Sequence, residues 1–348
     1  MPTKPIQDKI FQINADESAR YVNEEAARVR YWAKHTTFIG CIKCMDGRVL
    51  FPSITKTPFG IVKAFRAIGG KFNVWWPSFL GRVRHWVDVA ASRGSRNALF
   101  VTYHFSASDV HLGCAGWGYD TKMARAHAEQ LQKDLSYVFG EQLTAIVTGI
   151  ETDRDTLILH GPNGDLSGAD LVGKTEEDGL AALVRVFPKM DLGMAKDIIP
   201  FMMGNAERVK ELADRPRELH EMGHNERIIA IGQGFDWLAE ANLALIINDA
   251  DPNLAESIRV AASLIERNLA GVAEDDHATI FTSIPYRQPG EDYRQAVARS
   301  LGLKAFAESV IRSTAPALSE SGRLESIASV MWEPNKKIER IDEARATG

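Results

Sequence analysis

A chain of 348 residues with 45% hydrophobic and 25% charged side chains is long and apolar enough for one large or two ordinary folded domains. Its net charge of -5, with basic residues scattered among acids, excludes an electrostatic nucleic-acid surface and points to a small substrate. No segment approaches the roughly twenty apolar residues that span a bilayer, the N-terminus lacks a signal-like core, and the 3 cysteines give no disulfide framework. The expectation is a cytoplasmic protein with reduced thiols.

In chain order, Asp16 to Lys34 sets Tyr21, Val22, Ala26, Val29 and Trp32 at roughly helical spacing, which predicts one amphipathic helix. Thr37 to Val49, T-F-I-G-C-I-K-C-M-D-G-R-V, begins as an apolar strand ending near Cys44. The Pro52 and Pro58 region reads as an irregular connection, and a second strand from Gly60 runs into Arg66-Ala67-Ile68-Gly69-Gly70. Trp75 to Ser92 carries an apolar stripe on a helical period. Ala98 to Tyr103 is a third strand, ending on His104, and a polar loop leads from it to Cys114. A helix over Lys122 to Tyr137 follows, then a hairpin from Leu143 to Ile150 and Thr156 to His160 around T-D-R-D. Gly164 to Asn225 is polar and mostly helical, with a Met-rich segment at Phe201-Met202-Met203. Three more strands are predicted over Ile228 to Gly232, Leu243 to Asn248 and Thr279 to Ile284, with a charged, helical or loosely packed tail from Ser319. Strands alternating with helices imply an α/β fold with a parallel sheet, whose sites lie beyond the carboxyl ends of its strands.

The chemistry concentrates at Cys44, Asp46 and Arg48. In extended geometry these alternate positions share one face, placing a thiolate, a carboxylate and a guanidinium together. That set suits a metal ligand, an acceptor beside the metal, and a cation that keeps the acceptor ionised. Cys41-Ile-Lys-Cys44 could be a redox pair, half a zinc knuckle or two buried thiols, but it lies in a β-like run rather than at a helix start, and only Cys114 remains for a second pair.

Cys44-x-Asp46-x-Arg48, followed by Arg66-Ala67-Ile68-Gly69-Gly70 and the strand-terminal His104, resembles the β-class carbonic anhydrases. The hairpin V-T-G-I-E-T-D-R-D-T-L-I-L is similar to that family's last strand pair, so the resemblance covers roughly residues 15 to 165. Nine residues separate His104 from Cys114 where the family usually has H-x-x-C. The longer insertion resembles divergent members, the carboxysome shell carbonic anhydrases and the low-CO2-inducible proteins. Gly47, where Ser or Ala is commoner, is expected to loosen the loop. The resemblance implies a zinc ion on Cys44, His104 and Cys114, with His111, which forms a literal H-x-x-C with Cys114, as the alternative to His104. It implies Asp46 and Arg48 as catalytic residues and reversible CO2 hydration by zinc-bound hydroxide. CS2 or COS hydrolysis on the same site, or a catalytically silent zinc-stabilised assembly protein, are the alternatives. A homodimer or higher oligomer is expected.

His220-Glu221-Met222-Gly223-His224 is a literal H-E-x-x-H. Pro216 upstream and a strand directly downstream leave only about a turn and a half of helix, so a zinc metallopeptidase is the remote alternative and a helix end at the surface the plainer reading. The chain is expected to divide at 165/166 into a zinc domain with an N-terminal helix and an α/β C-terminal region. In the latter, R-I-I-A-I-G-Q-G-F-D-W-L echoes F-I-G-C-I-K-C-M-D-G-R-V, and A-T-I-F-T-S-I-P-Y-R echoes A-L-F-V-T-Y-H-F. Such echoes suit a degenerate second copy or an unrelated extension.

Overall fold

The computed structural model describes residues 6–218, 222–238, 240–273 and 276–342. The chain forms two compact units, each with its own sheet. One comprises Ala26–Cys44 and Arg48–Gly223; the other comprises Met1–Glu25, Met45–Gly47 and His224–Gly348.

The first unit holds helix α2 (Glu25–Lys34) from Ala26 onward, β1 (Thr37–Cys44), a short α3 (Phe51–Ile54), β2 (Val62–Ala67), α4 (Pro77–Ala91), β3 (Arg96–Phe105), α5 (Thr121–Phe139), β4 (Thr144–Glu151), β5 (Thr156–Gly161), β6 (Gly164–Ser167), α6 (Glu176–Val186) and α7 (Leu192–Asp214). Its six strands run in the order β2-β1-β3-β4-β5-β6. The first four are parallel and the last two antiparallel. Strands β1 and β3 are covered on both faces, which is why each reads as a nearly continuous apolar run. Cys41 and Phe100 face a core closed by Ile198 and Met202 of α7. Ile42, Leu99 and Val101 face the opposite core, closed by Phe79 and Val83 of α4 and Leu131 and Leu135 of α5. Asp120 caps α5 by accepting from Met123 N–H, and Asp191 does the same for Met194 at the start of α7. The buried carboxylate of Asp197 accepts from Thr37 N–H at 2.9 Å and stands 3.0 Å from His35 Nδ1, fastening α7 to the start of β1.

The second unit contains α1 (Ile6–Asn23), β7 (Ile228–Gly232), β8 (Ala244–Ile247), α8 (Leu254–Ala270), β9 (Ala278–Tyr286), α9 (Glu291–Thr314), β10 (Leu324–Trp332) and β11 (Lys337–Arg340). Its strands are ordered β11-β10-β9-β7-β8, with the β10/β11 pair antiparallel and every other pair parallel.

Two expectations are corrected. The single helix expected from Asp16 to Lys34 is two helices, and Val22 and Val29 are 50% and 62% exposed. The face that α1 buries is Ile10, Asn14 and Ser18, a stripe at four-residue spacing that is two-thirds polar and so escapes a hydrophobicity reading. Its polar members carry main-chain bonds: Asn14 Nδ2 donates to Lys336 O, and Asn14 Oδ1 accepts from Ile338 N–H. The tail expected to be helical or loose is instead β10 and β11. Ile327, Val330 and Met331 are buried there, and β10 runs between β9 and β11. The interleaved Glu325, Ser326 and Ser329 had hidden its strand character.

Candidate metal centre

The end of β1 and the end of β3 deliver two of the candidate ligands, as the parallel sheet requires. Cys44 is the last residue of β1, and His104 is the next to last of β3. Cys114 arrives from the loop between β3 and α5, just after a single helical turn at Val110–Leu112. Cys44, His104 and Cys114 are all buried, and each offers one ligand atom within 4.8 Å of the others. The two sulfurs are 3.9 Å apart. That matches the edge of about 3.8 Å expected for two thiolates on one tetrahedral zinc with Zn–S bonds of about 2.3 Å. The donor set of two thiols and one imidazole is the softness zinc prefers, and it leaves a fourth tetrahedral position. These residues therefore fit a zinc ion.

The surrounding main chain is shaped for the sulfurs. Gly69 N–H donates to Cys44 Sγ at 3.3 Å, a bond that favours the thiolate. Gly69 has φ of 59°, and a Cβ there would sit 2.7 Å from Trp117 Nε1, whose N–H donates to Gly69 O at 2.9 Å. A Cβ on Gly116 would likewise meet Gly69 N at 2.7 Å. The Gly69-Gly70 turn and the Gly116-Trp117 turn after Cys114 thus interlock only because Gly69 and Gly116 lack side chains.

The insertion between His104 and Cys114 is held by one carboxylate. Asp153, in the β4/β5 turn, accepts from Ser106 Oγ at 2.7 Å, Ala107 N–H at 3.1 Å and Ser108 N–H at 2.7 Å. Burial works to raise its pKa, but the hydrogen bonds from Ser106 and Ser108 outweigh this and hold it below the usual aspartate value. His111, the alternative ligand, is exposed on this loop, edge-on to Tyr119 with ring centroids 5.4 Å apart. It is absent from the three-residue group around Cys44.

Cys41 stands apart from that group. Three residues before Cys44 on the same strand, it points into the core of the opposite face, and burial pushes its thiol up to about 12. A thiol so disfavoured as thiolate is a packing residue, which sets the redox reading of C-I-K-C aside.

Extended geometry ends at Cys44, so the alternation expected to align Cys44, Asp46 and Arg48 does not continue past it. Met45–Gly47 is a bend fastened by the main chain to β8 and its flank: Ile246 N–H donates to Met45 O at 2.9 Å, and Asn242 N–H donates to Gly47 O at 2.9 Å. Asp46 is buried in the company of His224 and Glu226. Arg48, also buried, donates from Nη1 to Met222 O at 2.8 Å. Gly47 does not loosen this bend. A Cβ there would lie 2.7 Å from Ala244 O and 3.0 Å from Glu226 Cγ, so the missing side chain is what admits its neighbours.

His220 and Glu221 of the H-E-x-x-H stretch lie outside the described residues. His224 is described, and its Nδ1 is 3.0 Å from Glu226 Oε2. Glu226 was invisible to motif reading, because its bond to Gly47 spans 179 residues and no local spacing announces it.

Residues 31–174 match the family model of the carboxysome shell carbonic anhydrase catalytic domain. A carboxysome shell carbonic anhydrase of Prochlorococcus marinus (strain MIT 9313) is 27% identical over 58% of this chain and 45% of its own length. That of Halothiobacillus neapolitanus is 27% identical over 58% of this chain and 48% of its own length. That of Parasynechococcus marenigrum (strain WH8102) is 24% identical over 65% and 46%. The chain spans about half the length of the curated relatives it matches. The catalytic-domain match lies across β1 to β6 with all three candidate ligands inside it, and together with these relatives it supports a divergent β-carbonic-anhydrase-like family resembling the carboxysome shell carbonic anhydrases.

Proposed function

We propose that this protein is a carbonic anhydrase that hydrates CO2 reversibly to bicarbonate with a zinc ion held by Cys44, His104 and Cys114. The observation that carries the reading is the buried set of two thiols and one imidazole at strand ends, with its 3.9 Å sulfur separation, inside the segment matching the catalytic-domain model. Three protein ligands leave one position open, as catalytic zinc sites do, whereas structural zinc takes four. Zinc bound there supplies the acidity that makes water a nucleophile at neutral pH.

The chain's own residues do the rest. Asp46, two residues after Cys44, accepts a hydrogen bond from the attacking oxygen and keeps its remaining lone pair turned toward the carbon of CO2. Arg48 keeps Asp46 ionised and oriented. We assign the protein to the cell interior, where thiols stay reduced. Among the described residues no helix is long and apolar enough to cross a membrane. We also infer a homo-oligomer, and a second sheet that descends from a duplicated copy of the first. The identical order and sense of its first four strands, and the antiparallel strand after them, support the duplication.

Stopped-flow CO2 hydration on protein of measured zinc content tests this reading. One zinc per chain with turnover far above buffer is the expected result. Zinc present with no rate above buffer would leave a zinc-stabilised assembly protein instead.

A further inference from the structure

Asp46, His224 and Glu226 place one donor atom each within 4.8 Å of one another, which invites a second metal site. Their bonding speaks against it. Glu226 is fully buried, and its Oε1 accepts from Gly47 N–H at 3.1 Å, a bond a main-chain amide can make only as donor. His224 Nδ1 lies 3.1 and 3.0 Å from the two oxygens of the same carboxylate. With the carboxylate accepting, Nδ1 is a nitrogen that carries a proton, and Nε2 is the nitrogen nearer Asp46, 3.9 Å from Oδ2. The carboxylate of Glu226 is thus engaged with two donors.

The same carboxylate explains residue 47. A Cβ on Gly47 would lie 3.0 Å from Glu226 Cγ and 3.1 Å from its Oε1, so Glu226 reaches the Gly47 amide because residue 47 has no side chain. Gly47 follows Asp46 directly, and its carbonyl is fixed by Asn242 N–H while Met45 O is fixed by Ile246 N–H. Both peptide neighbours of Asp46 are therefore pinned, and Glu226 supplies the side-chain member of that clamp.

We propose that Glu226 is a positioning residue for Asp46: through Gly47 N–H it fixes the bend that carries the carboxylate, and through Nδ1 it fixes the tautomer of the imidazole facing it. This rests on the carbonic anhydrase reading, in which Asp46 is catalytic. Groups that orient a catalytic or ligating side chain in this way typically change activity by about 10–100-fold when altered.

The test is Glu226→Gln, which keeps the shape but turns an NH2 group toward one of the two donors. We expect wild-type zinc content and far-UV circular dichroism, kcat lower by about tenfold with KM little changed, and a loss of the Nδ1–H tautomer of His224 in 15N–1H imidazole spectra. Gly47→Ala, whose Cβ would meet Ala244 O as well as Glu226, should show at least the same two signatures. Wild-type kcat with an unchanged His224 tautomer in Glu226→Gln would overturn the inference while leaving the carbonic anhydrase reading intact. A kcat loss that merely tracks lost zinc or lost folded fraction would overturn it too. A zinc-replete wild type without turnover would overturn the underlying reading, and with it the role assigned to Glu226.

Discussion

The two sheets of this protein share a plan and differ in chemistry. In each, three consecutive parallel pairings (β2-β1-β3-β4 and β8-β7-β9-β10) are followed by an antiparallel strand. Aligning β9 with β3 through Ala278 and Ala98 places Thr282 on Thr102 and Ile284 on His104. Gly232 pairs with Ser283, which puts it at the end of β7 where Cys44 ends β1. The positions of the candidate ligands Cys44 and His104 in the first sheet are thus occupied by a glycine and an isoleucine in the second. The scaffold persists because parallel strands and their covering helices are specified by many apolar positions, whereas a zinc site depends on three side chains. Substituting any of those three removes it.

The comparison breaks most sharply at the ligands. Cys44→Ala, His104→Ala and Cys114→Ala should each weaken zinc binding at least about a hundredfold and abolish turnover, while His111→Ala should keep both, as read by metal analysis after dialysis. Zinc lost from His111→Ala but kept by His104→Ala would reverse the assignment.

Restoring a thiol at the corresponding position of the second sheet should fail for a structural reason. Gly232 has φ of 130°, and a Cβ there would lie 2.2 Å from Ser283 O. Gly232→Cys is therefore expected to destabilise its unit by about 3 kcal/mol or more, seen as an early transition in urea. An unchanged urea midpoint would show that Gly232 is not what keeps this strand end from accepting a ligand. Ile327→Ala, in the interior strand β10, should cost about 2–4 kcal/mol from the cavity it leaves. A cost near zero would contradict the packing of the second sheet.

The smallest effect concerns pH. The folded pKa of Asp153 is depressed below its usual value, so its anchoring of Ala107 and Ser108 is fully present above the ordinary aspartate pKa. That contribution is lost as pH falls through the depressed folded value. Protection factors against hydrogen exchange at those two amides, taken relative to the intrinsic rate at each pH, should fall in acid before those of the sheet amides follow, and Asp153→Asn should show the lower protection already at neutral pH. Equal protection in Asp153→Asn would remove Asp153 as the anchor.

What was legible in the sequence follows from what is local. Strands β1 and β3 announced themselves by apolar runs because both their faces are buried, and Cys44, His104 and Cys114 stand where a parallel sheet places its chemistry. The extent of helix α1 is not legible because Asn14 and Ser18 bury polar side chains on β11 and its flanking turn, bonds that no hydrophobic period records. Strand β10 was missed because polar residues interrupt a run whose inward members are apolar. Glu226 and the tight packing around Gly47 depend on contacts between residues far apart in the chain, so Gly47 looked like a source of slack when it is a point of closest approach.

The central claim is that C-x-D-x-R is catalytic machinery on a zinc site, and Arg48→Ala tests it most directly because Arg48 is not a ligand in this account. Stopped-flow CO2 hydration of wild type and Arg48→Ala, each with its zinc quantified, should show equal zinc and a loss of most turnover in the variant. Equal zinc with wild-type turnover would contradict the account.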